Sequence, residues 1–139
     1  MSKILSISER ASLAMHSMVL LAASEPDPVT TRQAAEKLDA SEAHLSKIFQ
    51  QLVRNEYVAS TRGPGGGFVL KKDASRISLK EIYETIEGKL SDNLCLLDRK
   101  ICRGKKCILG DLVKKVNKQM RTYMDHTMIS DLAKKYNQE

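Results

Sequence analysis

The run Arg62-Gly63-Pro64-Gly65-Gly66-Gly67 constrains the fold more tightly than any other part of the chain. Four glycines and a proline in six residues leave a loop as the conformation open to it. Residues 57–61 before the run and 68–71 after it read as short strands, so the expected unit is a β-hairpin with a glycine-rich tip.

Elsewhere the recognisable period is helical. Ile7, Ala11, Ala14, Met15, Met18, Leu21 and Ala22 recur at three- and four-residue steps, which predicts a first helix over about residues 8–23, stopped by Glu25-Pro26-Asp27-Pro28. Thr30 or Thr31 is placed to cap a short second helix through Leu38, with Ala34, Ala35 and Leu38 inward. After the connection Asp39-Ala40, Ser41 caps a third helix whose buried stripe is Leu45, Ile48, Phe49, Leu52 and Val53. Leu79, Ile82, Tyr83 and Ile86 predict a helix from Ser78 to about Glu87, ended by Gly88. Residues 94–107 show no period. Leu109, Leu112, Val113, Val116, Met120, Tyr123, Met124 and Thr127 follow the near-heptad spacing of a long helix with a seam for another helix. Ile129, Leu132 and Tyr136 mark a last short one. The expected class is mainly α with a small β-hairpin. Residues 1–90 form a winged helix-turn-helix domain, 91–108 a cysteine loop, and 109–139 a dimerisation helix with a C-terminal tail.

Composition narrows the partners. The 139 residues match one compact domain, enough for a core without disulfide staples. Twenty-three Lys and Arg against 17 Asp and Glu give a net charge of +6, spread evenly along the chain, which favours a polyanion. Four Tyr and two Phe are the only aromatics, too few for a base-stacking single-strand binder, which leaves duplex DNA open. The apolar segment 11–23 could pass for the core of a signal peptide, but Ser12, His16 and Ser17 interrupt it. No run approaches the ~18 apolar residues that span a bilayer. An odd number of cysteines fits a reducing, cytoplasmic setting better than a disulfide framework. No paired carboxylates, metal-hydrolase motif or nucleophile and base pair marks an enzyme.

Two short helices joined by a tight turn and followed by a hairpin form the arrangement in which one helix enters a major groove. Opposite the apolar stripe of the third helix lie Glu42, His44, Ser46, Lys47, Gln50 and Arg54. His44, Ser46, Lys47 and Gln50 can reach base edges or phosphates, whereas Glu42 repels phosphate unless it accepts from cytosine. The plain alternative is a solvated polar face. In the hairpin loop the glycines let backbone approach phosphate while Arg62 reaches a minor groove. A nucleotide cradle would need the following lysine and the strand-to-helix setting that this loop lacks. The candidate DNA-contacting set is therefore Thr31, Ser41, Glu42, His44, Ser46, Lys47 and Gln50 on the helices, with Arg62, Gly63, Pro64, Gly65 and Gly66 in the wing.

Over nearly the whole chain, and most specifically in RGPGGGFVL followed by KDASRISLKEI, the sequence resembles the Rrf-two (Rrf2) family of bacterial transcription regulators. The resemblance implies a homodimer on a palindromic double-stranded operator, with Arg62 in the minor groove and the 41–50 surface in the major groove. Ser46 stands where the family's cluster-assembly regulator has a glutamate that helps choose the site, so operator sequence does not transfer.

Cys95, Cys102 and Cys107 are spaced C-x6-C-x4-C, without the C-x2-C pairs of zinc ribbons or common ferredoxins. Arg99, Lys100, Arg103, Lys105 and Lys106 lie among them, and nearby cations lower thiol pKa and stabilise a thiolate-bound anionic cluster. Three ordinary loop cysteines are the plain alternative. In the resembling family, cysteines in this place are ligands of a [2Fe-2S] or [4Fe-4S] cluster that senses redox, nitric oxide or iron-sulfur status. Here the middle one is displaced by about one position, which leaves nuclearity open. His16 matches a position used as a ligand by a redox-sensing member and is the tentative fourth ligand, although sharing a stripe with Leu13 and Leu20 it also reads as a half-buried structural histidine. Ser12 occupies the place of the nitric-oxide sensor's aspartate, Gly110 lies near a family histidine, and Glu9, Asp98 and Asp111 are lesser candidates. A cluster-free thiol switch using the same cysteines is the competing expectation.

Overall fold

The computed structural model describes residues 7–90 and 107–138; Cys95 and Cys102 lie outside them. The first helix, α1 (Glu9–Ser24), starts one residue later than its period suggests, because the Ser8 hydroxyl accepts from the Ala11 amide at 3.1 Å and so caps the helix. In α2 (Thr31–Leu38) the cap is Thr30. Its hydroxyl accepts from the Gln33 amide at 3.1 Å while Gln33 accepts from the Thr30 amide at 2.9 Å, a reciprocal capping box. Asp39, at φ +50°, turns the chain toward Ser41, which caps α3 (Glu42–Arg54).

The wing follows as β1 (Val58–Thr61) and β2 (Gly67–Leu70), antiparallel and paired Val58 with Leu70 through Thr61 with Gly67. A single 3-10 turn at Ala74–Arg76, unforeseen in the sequence reading, hangs on Asp73, whose carboxylate accepts from the Ser75 amide at 2.8 Å. Then α4 (Leu79–Glu87) starts on a second capping box, Ser78 with Glu81, and ends at Gly88. After the undescribed residues come α5 (Leu112–His126) and α6 (Ile129–Tyr136).

The apolar stripe of α1 is the centre of the core. Ala11, Ala14, Met18 and Leu21 pack with Leu45, Ile48, Phe49 and Leu52 of α3, and with Ile82 of α4. The chain's last helix returns to this core. Ile129 is fully buried, its amide donates to the Ile77 carbonyl at 2.8 Å, the Leu79 amide donates to the Thr127 carbonyl at 3.0 Å, and α6 lies against α1. By contrast, only Met124 of α5 is buried, and Leu112 and Tyr123 remain 52 % and 54 % exposed.

Candidate nucleic-acid interface

The polar face of α3 is built by the helix's own amphipathic period. Leu45, Ile48, Phe49 and Leu52 are buried, which forces Glu42, Lys47, Gln50 and Arg54 to solvent and leaves His44 and Ser46 half-exposed. Ser41 has a structural task as well, since its hydroxyl accepts from the His44 amide at 3.1 Å. Thr31 sits half-buried in the first turn of α2.

Helix and wing are locked together by contacts that no local pattern announces. The rings of Phe49 and Phe68 lie parallel, 4.4 Å between centroids and 4° apart in plane, joining the buried face of α3 to β2. Phe68 also exchanges backbone hydrogen bonds with Val29, at 2.8 and 3.0 Å, which ties the wing to the α1–α2 connection. The only sequence signal is that both phenylalanines stand at apolar positions; nothing in the spacing pairs them.

The wing tip is shaped from inside. Thr61 Oγ1 accepts from the Gly67 amide at 3.0 Å and donates to the Gly67 carbonyl at 3.1 Å. A Cβ on Gly66 would lie 2.5 Å from the Thr61 carbonyl oxygen, and one on Gly67 would lie 2.7 Å from the Val29 carbonyl. These two glycines are therefore required by the fold itself, which adds a reason beyond phosphate approach. Gly63 and Gly65 meet no neighbour, but both have positive φ, +92° and +76°, a backbone that side chains with a Cβ rarely adopt. Arg62, Gly63, Pro64 and Gly65 are exposed at the tip.

The cations divide into two sets. Lys71 pairs with Glu56, whose carboxyl it holds below the ordinary range, and Lys72 sits 4.3 Å over the Tyr57 ring; burial in turn pushes the Tyr57 hydroxyl up. Lys47, Gln50, Arg54 and Arg62 make no side-chain hydrogen bond or ion pair with another described residue. Cations at the base of the wing are engaged internally, whereas those on α3 and the wing tip have no partner among the described residues.

Of the cysteines, only Cys107 is among the described residues; it is half-buried and free, one turn before α5. The half-buried reading of His16 is corrected: the residue is exposed, because Leu13 and Leu20 take the inward positions and His16 falls at the rim of a groove lined by Met15, Val19, Leu38 and Leu132. Its Nδ1 donates to the Ser12 carbonyl at 2.7 Å, which leaves the lone pair of the neutral ring on Nε2. Gly110 and Asp111 lie in the exposed turn after Cys107, where Asp111 pairs with Lys115 at 3.1 Å; Asp98 lies outside the described residues.

The family model described as Rrf2, iron-dependent transcriptional regulator, matches residues 7–135. The chain is 28 % identical over 110 residues to the HTH-type transcriptional regulator IscR of Klebsiella pneumoniae strain 342, covering 79 % of this chain and 68 % of that protein. Among solved structures, CymR (YrzC), the global cysteine regulator of B. subtilis, superposes with a TM-score of 0.77 at 25 % identity, over 94 % of this chain and 98 % of that one. The IscR of T. potens superposes with a TM-score of 0.73 at 24 % identity, over 96 % and 89 %. These relatives are transcriptional regulators rather than enzymes. No helix of the described residues is long and apolar enough to cross a membrane.

Proposed function

The chain belongs to the Rrf2 family of transcriptional regulators, and we propose that it grips a palindromic duplex operator as a homodimer whose affinity follows the state of Cys95, Cys102 and Cys107. The observation that carries the DNA reading is the pair of cationic elements without a partner among the described residues, α3 with Lys47 and Arg54 and the wing tip with Arg62, on a helix and a strand joined by the Phe49–Phe68 stack. A helix with polar tips suits the major groove and a glycine-flanked arginine suits the narrow minor groove. Thr31, Ser41, Glu42, His44, Ser46 and Gln50 complete the proposed contact set with Gly63, Pro64, Gly65 and Gly66.

Among the described residues the apolar positions Leu112, Val116 and Tyr123 of α5 stay outside the core that takes Met120 and Met124, and this supports a second copy of this chain as their partner. A dimer must present its two reading helices about 34 Å apart, one DNA turn, and α5 is the element that would fix this spacing.

For sensing, the donor chemistry fits an iron-sulfur cluster: three cysteines among five cations, and in His16 an imidazole whose Nδ1 is held by the Ser12 carbonyl. Cys95, Cys102 and Cys107 would hold the cluster, with His16 as fourth ligand. When bound, such a cluster supplies a centre whose charge and integrity change with oxidation, nitric oxide or iron supply. The chain's own part is to hold the thiolates among cations and to keep the His16 ring oriented through Ser12. The decisive experiment is anaerobic visible absorption with iron and sulfide analysis of the wild type beside Cys95→Ala, Cys102→Ala, Cys107→Ala and His16→Ala. Colour lost with each cysteine variant supports the cluster reading. Colourless, iron-free wild type moves the reading to a thiol switch, for which the free Cys107 thiol is the described participant.

A further inference from the structure

We infer that Gln51 is a positioning residue that ties the attitude of the DNA-reading helix to the end of α4 from which the cysteine segment departs. This rests on the proposed function, whose sensor must reach α3 by some physical route.

Gln51 lies near the end of α3, half-buried, beside the exposed Gln50. Its side-chain amide uses both of its ends on other helices. Oε1 accepts from Arg10 Nη2 of α1 at 2.7 Å, and Nε2 donates to the Thr85 carbonyl of α4 at 3.0 Å. Among the described residues these are the one side-chain hydrogen bond between α1 and α3 and the one between α3 and α4. A primary amide carries donor and acceptor on one rigid plane, so a single side chain can bridge an arginine and a carbonyl. Glutamate keeps only the acceptor, and methionine, similar in length, keeps neither.

The α4 end of this bridge is where the chain beyond the wing is anchored. Glu84, next to Thr85, accepts the Leu90 amide at 3.1 Å, and Arg121 of α5 donates to the Leu90 carbonyl at 3.4 Å. Ser8, the cap of α1, donates to Glu87 in the same last turn. Leu90 is thus held between α4 and α5, five residues before Cys95. A change that pulls on Leu90 acts on the last turn of α4. Helices move as stiff bodies, so the Thr85 carbonyl moves with that turn and Gln51 carries the displacement to α3.

The test compares wild type, Gln51→Glu and Gln51→Met as full-length protein, measuring operator affinity by fluorescence anisotropy at fixed salt. Each is assayed fully reduced and metal-free, reconstituted with ferrous iron and sulfide, and oxidised with diamide. A second readout is amide hydrogen exchange over α3 in the reduced and diamide-oxidised states, which needs no metal. Wild type is expected to change affinity about tenfold or more between two of these states. In both variants that ratio should fall to within about threefold, with the state-dependent exchange change in α3 abolished and the melting temperature nearly unaltered. A wild-type ratio retained in both folded variants overturns the role of Gln51 and leaves the sensing reading standing. Equal wild-type affinity in all three states overturns the sensing reading and this inference with it.

Discussion

The α2–α3–wing region and helix α5 carry equally clear apolar periods, yet among the described residues only the first is almost fully covered. In α3 every position of the stripe is buried except half-buried Val53, and the opposite face is polar. In α5 the near-heptad stripe buries Met124 and leaves Leu112 and Tyr123 more than half exposed, with Ile108 before it 91 % exposed. The lesson is that an amphipathic pattern states how much surface must be covered without saying by what. The winged region covers its own stripe, whereas among the described residues that of α5 is covered only in part.

Breaking the complete region should have the largest effect. Phe49→Ala removes a fully buried ring and its stacking partner for Phe68, and should destabilise the fold by about 3–5 kcal/mol, measured by urea unfolding. A loss below ~1 kcal/mol would mean that the wing is not part of the cooperative unit. The incomplete region should respond differently. Val116→Asp with Tyr123→Asp should leave the melting temperature of the monomer nearly unchanged while converting dimer to monomer in sedimentation. Operator affinity would then fall by about 100-fold, as two linked half-sites become independent. If the variant stays dimeric, α5 is not the interface.

Smaller effects sharpen the contrast within the winged region. Arg62→Ala should weaken operator binding by about 10- to 100-fold and reduce the salt slope by about one, with unchanged stability; Lys72→Ala, whose ammonium lies over Tyr57, should weaken it far less. Inside the core, the Ser17 hydroxyl is fully buried without a partner among the described residues, so Ser17→Ala should raise stability by about 1 kcal/mol. The smallest effect is electrostatic. The Glu56 carboxyl titrates below its ordinary 4.5, first through its hydrogen bond from Lys71. Its small stabilisation is therefore present above pH 4.5 and is lost as pH falls through the lowered value. Glu56→Gln should flatten this part of the acid limb in thermal melts, leaving stability at pH 7 little changed because the pair is exposed.

The order of helices and strands follows from the amino-acid sequence, because the signals involved are local. Caps at Ser41 and Ser78, the stop at Gly88 and the hairpin around the Arg62 run depend on neighbours within four residues, and the helices lie where the 3.6-residue period places them. The candidate interface was legible to the same depth: the polar face of α3 follows once its apolar stripe is known. The chain could not announce pairings between distant residues. The Phe49–Phe68 stack, the Val29–Phe68 exchange, the return of α6 onto α1 and the bridging amide of Gln51 join residues up to a hundred or more positions apart. His16 is exposed despite its place in the stripe, since helical spacing gives the angle of a side chain about its axis but not how far the neighbouring helices reach around it. Tertiary structure decided those points, because burial and partner choice are properties of three-dimensional proximity, which a one-dimensional period constrains only on a single element.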